Sequence, residues 1–387
     1  VEKLRFLDQR DERLMLAVPW LAALVAAMVW LGSRINIPWS RDNDLVMLVT
    51  SLLFLDGLHV TFTFIAVLGL TELRDWARPD ETAADTPAKK LAAAGRGFWG
   101  RSLLVGLTLM AVFYFIRFSP YSRALPTLAA IFLLFETLGP SQHTLAQMRG
   151  ISFCFHSALR KAASFSAEEL KSALEVERWE KILFRVLLGA DILSAIPNIM
   201  IRAGFNGPRA HPLMLQAIRS GCVTIMALAV LGILYNGALY PRQKSTNKMA
   251  YLLRAVLYPL RIFVLPANLV VRACHGTEYL VIIRQLIRNS SATEATRRRM
   301  RWATIGASIL YGATFAFTFP FVFRHWAGWR EPQGLITYAL MATLVIRYLH
   351  YYMDAVLYRM NDAKVRAVVG PLLVKPERSA APVPVVA

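Results

Sequence analysis

The sequence predicts an all-α fold, a polytopic integral-membrane helix bundle of about ten transmembrane helices. Three observations carry that reading. The 387-residue chain is 56% hydrophobic with a mean hydropathy of +0.42, too apolar for a soluble protein of this size. Apolar runs of about 18 residues or more recur along it, each long enough to cross a hydrocarbon core of about 30 Å. The 44 Lys and Arg fall unevenly between the two sets of connecting loops, the asymmetry expected of a membrane topology.

The apolar runs place spans at about 14–31, 45–70, 102–118, 125–143, 182–201, 213–239, 250–265, 267–289, 302–323 and 335–357. The first, LMLAVPWLAALVAAMVWLG, is long for a signal-peptide core and lacks a small-x-small cleavage site, so it is read as a true span. Pro259 and Pro266 interrupt the seventh and eighth spans, where a re-entrant hairpin is the other reading. Pro266 suits the first turn of a new helix. With the N-terminus inside, the inner segments hold 31 Lys and Arg and the outer loops hold 8. Both termini are therefore expected in the cytoplasm, with the protein in a bacterial inner membrane.

One membrane domain is expected over residues 1–374, followed by a disordered tail, KPERSAAPVPVVA, over 375–387. Residues 144–181 read as an amphipathic segment on the inner leaflet, with Ser166 and Glu169 spaced as a capping box. RPDETAADTPAKKLAAAG, over 78–95, reads as a polar, mobile link. The net charge of +19 is accounted for by basic loops lying against anionic lipid. No basic module interleaved with aromatics is present, so nucleic acid is not expected as a partner. Cys154, Cys222 and Cys274 form no disulfide or zinc pattern. There is no internal repeat and no glycine-rich phosphate loop.

Against this background the polar residues inside the spans stand out. A helix of 3.6 residues per turn puts positions three or four apart on one face. LLFLDGLHVTF sets Asp56 three residues before His59, and LLFETLGPSQHTLAQ carries Glu136, Gln142, His143 and Gln147. RACHGTEYL sets His275 three before Glu278, and RYLHYYMDAVL sets His350 four before Asp354. Ionisable groups at membrane depth cost about 2.5–3.5 kcal/mol each, so they are kept for a task. Spans two, four, eight and ten all run from outside to inside, which lets the four histidines meet in the inner half of the bilayer. Imidazole with carboxylate suits iron, manganese or zinc. The candidate metal ligands are thus His59, His143, His275, His350, Asp354, Glu278, Asp56 and Glu136. A carboxylate one turn from a histidine can also orient it from outside the ligand shell. The bland reading of the same pairs is a set of polar staples or a proton path.

The remaining polar residues read differently. His211 and His325 fall in outer loops and read as solvated interfacial groups, and His156 falls on the inner segment and reads as a structural group. Asp191 has no histidine one turn away and reads as structural or as lining a substrate path. Arg284 and Arg347 pair with acids on their own spans or reach toward the interface. Tyr279, Tyr351 and Tyr352 flank the candidate ligands, either as donors or as part of an aromatic belt.

The HYYMDAVLYRM ending and the early DGLHVTF span resemble the corresponding stretches of the Brp/Blh-type carotene oxygenases. The likeness covers short motifs at two ends of the chain. It implies a membrane-embedded, iron-dependent oxygenase with its metal on histidines from several spans, and it carries ligand roles onto His59 and His350 first. The paired histidine boxes of membrane fatty-acid desaturases are absent. The expected function is a non-haem iron oxygenase with one or two irons, acting on a lipophilic molecule that enters from the lipid bilayer, with an electron donor as a further partner. The alternatives are a haem protein, a proton-coupled transporter and a zinc hydrolase using Ser141 near His143.

Overall fold

A computed structural model describes residues 55–77, 97–118, 126–162, 165–202, 211–241, 246–260, 265–324, 335–359 and 362–373, with a few positions between 11 and 24. Among the described residues the chain is all α-helical, with no strand. The first helix, α1, is Leu55–Gly69, and Thr71–Ala77 (α2) follows after one residue. Then come α3 (Phe98–Phe118), α4 (Pro126–Ala162), α5 (Ala167–Arg202) and α6 (Pro212–Ala238). Short pieces follow: α7 (Thr246–Leu252), a 3-10 turn (Leu253–Val256) and α8 (Leu257–Leu260). The last helices are α9 (Leu265–Asn289), α10 (Glu294–Arg324), α11 (Leu335–Leu357) and α12 (Ala363–Leu373).

Ten separate spans are not supported. Among the described residues only α6 is both long and apolar enough to cross a membrane. Hydropathy alone missed where helices continue. The fourth and fifth spans run on into the inner segment as helices of 37 and 36 residues, about 55 Å each at 1.5 Å per residue. Residues 144–162 and 167–181 of the expected inner segment thus belong to α4 and α5. Pro140 sits inside α4 without ending it, and the Thr144 hydroxyl donates to the Pro140 carbonyl. The turn between the two helices carries the expected capping box. Ser166 N–H donates to Glu169 Oε2 at 2.8 Å, and Glu169 N–H donates to Ser166 Oγ at 3.2 Å. The seventh span falls on three consecutive short pieces, α7, the 3-10 turn holding the buried Arg254, and α8, whose Pro259 has no N–H to offer the carbonyl four residues back. Pro266 falls in the first turn of α9, where its missing N–H costs nothing. Most of the first span, the link over 78–95 and the tail over 375–387 lie outside the described residues.

The helix that positions the site is α1. It packs against α10, α9 and α11, and α11 in turn meets α4. The contact with α10 is close because small residues face each other. A Cβ on Gly57 would come within 2.6 Å of the Ser308 backbone oxygen. Thr61 Oγ1 donates to the Gly57 carbonyl at 2.7 Å and lies 3.1 Å from Ser308 Oγ. Interfaces of Gly, Ser and Thr let backbones approach in this way. The core around α1 is apolar, with Phe62, Val67 and Leu70 buried alongside Leu286, Met300 and Met353. The C-terminal helix α12 closes one end. Its Val365, Val369 and Leu372 are buried, and Gln285 and Asn289 donate to the carbonyls of Leu373 and Leu372.

Candidate metal centre

Each of the four packed helices contributes one histidine: His59 from α1, His143 from α4, His275 from α9 and His350 from α11. All four are buried. His59 is the hub. Its Nε2 lies 2.9 Å from Nε2 of His143, 2.8 Å from Nε2 of His275 and 2.8 Å from Nε2 of His350. Asp354 completes the group. His59, His143, His350 and Asp354 offer ligand atoms that all lie within 4.8 Å of one another. The Asp354 Oδ2 is 3.7 Å from His143 Nε2.

Hydrogen bonding does not account for this arrangement. An imidazole nitrogen carries either one proton or one lone pair, both in the ring plane, so it makes one good hydrogen bond. His59 Nε2 faces three nitrogens, so at least two of those contacts lack a shared proton in a buried, low-dielectric place. A cation resolves the conflict by accepting all the lone pairs at once. The spacing fits: two nitrogens about 2.1 Å from a common ion and at right angles lie about 3 Å apart.

The tautomer of His350 is set by its surroundings. Thr63 stands one turn after His59 on α1, and its Oγ1 donates to Asp354 Oδ1 at 2.7 Å. Tyr279 OH donates to the same oxygen at 2.8 Å and also contacts Thr63 Oγ1. With its proton committed, the Thr63 hydroxyl accepts from His350 Nδ1–H at 3.2 Å. That leaves the His350 Nε2 lone pair aimed at the cluster, an arrangement typical of metal-bound histidine. Protonation states here follow from the bonding network. Asp354 thus uses Oδ1 to fix its neighbours and turns Oδ2 toward His143. His59 Nδ1 and His275 Nδ1 are buried without a hydrogen-bond partner among the described residues. The Tyr279 ring stands edge-on to His59, with centroids 3.9 Å apart. Arg347, one turn before His350, donates from Nε to Tyr351 OH at 2.9 Å, and the Tyr351 ring lies against His143.

The structure does not bring every candidate ligand here. Glu278 turns away from the four histidines and forms a buried ion pair with Arg254, whose other nitrogen donates to the Met15 carbonyl. The side chains of Asp56 and Glu136 lie outside the described residues, as does His325. Thr63 is the functional residue that the sequence reading missed, although its position four residues after His59 put it on the same face.

His156 belongs to a second buried group. It stacks on Tyr240 with centroids 4.1 Å apart and contacts Lys248, Glu177 and Glu180. Burial lowers the Lys248 ammonium below its ordinary range, and the Glu180 carboxylate opposes that shift. Arg284 pairs with Asp11 at 3.2 Å rather than with an acid on its own helix. No family model, curated protein or solved structure matches this chain.

Proposed function

We propose that this chain is a membrane-embedded metalloenzyme, an iron-dependent oxygenase acting on a lipophilic substrate. The single observation that carries the metal is the contact of His59 Nε2 with three other imidazole nitrogens within 2.9 Å. Nitrogen-rich donors with one carboxylate and no thiolate suit iron, manganese or zinc, and the resemblance of the two end motifs favours iron. The ion would supply binding and activation of dioxygen. The chain's own residues do the rest. His59, His143, His275, His350 and Asp354 hold the ion, while Thr63 and Tyr279 fix the Asp354 carboxylate. The surrounding apolar helices exclude water from a reactive centre.

Membrane embedding is supported by the outer surface. Only 28% of the apolar window of α6 is buried, unlike the core helix of a soluble protein. Leu103, Leu104 and Leu107 on α3 and Leu228 and Leu231 on α6 are all at least 59% exposed. Large exposed apolar faces mark contact with lipid or protein. A haem is a poorer fit, because ring centroids 4.2–5.1 Å apart leave no slot for a porphyrin between the histidines.

The test is elemental analysis and optical spectroscopy of protein purified from iron-replete cells under gentle conditions. About one iron per chain is expected, without a Soret band, and His59→Ala should lose it. A metal-free protein that moves protons or solutes across vesicles would replace this reading with transport.

A further inference from the structure

A cavity of about 640 Å³ opens beside the centre, between α4, α5, α9, α11 and α12. That is the size of a pocket for a drug-sized ligand. Its inner end is lined by His143, Asp354 and Tyr279, and its walls include Ile151, Phe153, Ile282 and Leu373. The remainder of the lining is strongly basic. Arg149, Lys181, Arg185, Arg359 and Arg366 all line it, against the single carboxylate of Asp354. None of these five cations makes an ion pair with a carboxylate among the described residues. They come from segments far apart in sequence, on α4, α5, α12 and the turn after α11, so no local pattern gathers them. Arg149 is solvent-exposed at the cavity rim and stands near Arg185. Partial desolvation and then that like charge hold its guanidinium below the ordinary range, against the weaker pull of Glu180. Gln147 adds an amide on the same wall whose nitrogen and oxygen are buried and without partners among the described residues.

Unneutralised arginines converging on one cavity call for an anion. Arg matches the oxygens of a phosphate in bidentate fashion. The apolar walls call for hydrocarbon. We infer that the cavity binds a phosphate-bearing amphiphile, its phosphate on the arginine rim and its hydrocarbon part reaching His143 and Asp354. This deepens the oxygenase reading by naming a substrate class, and it rests on that reading only for what happens at the metal.

The test uses the full-length protein in a neutral detergent. Dioctanoyl phosphatidic acid, dioctanoylglycerol and inorganic phosphate are titrated calorimetrically, and metal content is measured on the same samples. Saturable binding of about one phosphatidic acid per chain is expected, at least tenfold tighter than either other probe. Arg185→Gln with Arg366→Gln should weaken it tenfold or more, and Arg185→Lys should weaken it less. Ala146→Trp, which fills the cavity from an exposed position on α4, should abolish it, whereas non-specific lipid adsorption would survive. Metal content should be unchanged in all of these variants. His350→Ala should lose metal and keep the amphiphile. Equal affinity for dioctanoylglycerol, or for inorganic phosphate alone, overturns the proposal, as does binding indifferent to Ala146→Trp. Metal present without amphiphile binding sinks this inference and leaves the metal centre standing, and amphiphile binding without metal does the reverse.

Discussion

Thr63→Val is the sharpest test of the centre, because it keeps shape and removes one hydroxyl. In the wild type that hydroxyl accepts from His350 Nδ1–H at 3.2 Å and donates to Asp354 Oδ1 at 2.7 Å. The variant keeps the β-branched shape and the helix. It leaves His350 Nδ1–H without its acceptor and Asp354 with Tyr279 alone. Partners one step behind a metal ligand typically change affinity 10- to 100-fold, which is about 1.4–2.7 kcal/mol. Thr63→Val should therefore bind metal 10- to 100-fold more weakly while its thermal unfolding shifts by a few degrees at most. The assay is competition against a metallochromic chelator, with His350→Ala as the fully disrupted comparison and Thr61→Val as a control on the same helix. Thr61 faces Ser308 and its own helix, so its loss should not touch the metal. Equal metal affinity in Thr63→Val and wild type, with His350→Ala defective, would refute the claim that Thr63 orients the ligand. Equal affinity in all three would refute the centre itself.

Other outcomes follow from the packing. Gly57→Ala must push α1 away from the Ser308 backbone oxygen, which cannot yield as a side chain can. A loss of about 1–3 kcal/mol is expected, read as a lower melting temperature, while Gly221→Ala, which meets nothing within 4 Å, should stay within about 1 kcal/mol of wild type. Glu278→Ala strands the buried Arg254 charge and should destabilise by about 3–5 kcal/mol with metal stoichiometry unchanged in the folded fraction. A Glu278→Met, Arg254→Met double variant should recover much of that loss, and metal depletion at unchanged stability would instead make Glu278 a ligand. Burial lowers the Lys248 pKa, so below its ordinary range of about 10.4 the unfolded chain holds more protons there than the folded one. Stability from this group then rises with pH through that window. The melting-temperature difference between wild type and Lys248→Met should shift toward wild type between pH 8 and pH 10, and a flat difference would refute it.

The sequence made some of this legible and hid the rest for physical reasons. Four histidines on four helices were visible because helical spacing puts each on a definable face. His350 and Asp354 lie one turn apart and do share a face, as their 3.7 Å approach shows. Glu278 was read beside His275 by the same rule, yet it pairs with Arg254. That partner sits in a stretch which hydropathy drew as a span and which folds as three short pieces. Thr63 carries no distinguishing signal in the sequence, because a threonine in an apolar helix ordinarily bonds back to the carbonyl four residues earlier. Thr61, Thr304 and Ser308 do that, and only the tertiary arrangement shows Thr63 doing otherwise. The helix bounds differ from the expected spans because window-averaged hydropathy marks only where apolar residues lie. It does not see that the polar stretch AEELKSALEVERWEK, rich in Ala, Glu and Lys, propagates a helix on propensity at the start of α5.

The donor set also bears on how many ions such a centre would hold. Bundle-type two-metal sites draw mostly on carboxylates, with a lone Glu from each of two helices and a Glu and a His from each of the other two. The carboxylates there bridge and neutralise two cations about 3.5–4 Å apart. Here the donors that lie within 4.8 Å of one another are three imidazoles and one carboxylate, with the fourth imidazole, His275, set against His59 Nε2. One negative charge neutralises two dications poorly, and donors that meet around one atom have no second focus. The geometry therefore favours one ion per chain over two. Titration of the metal-depleted protein should show a single equivalence point near one. A point near two would require further acids at the site, and Asp56 and Glu136, placed on α1 and α4 within reach in sequence of His59 and His143, would be the first to replace.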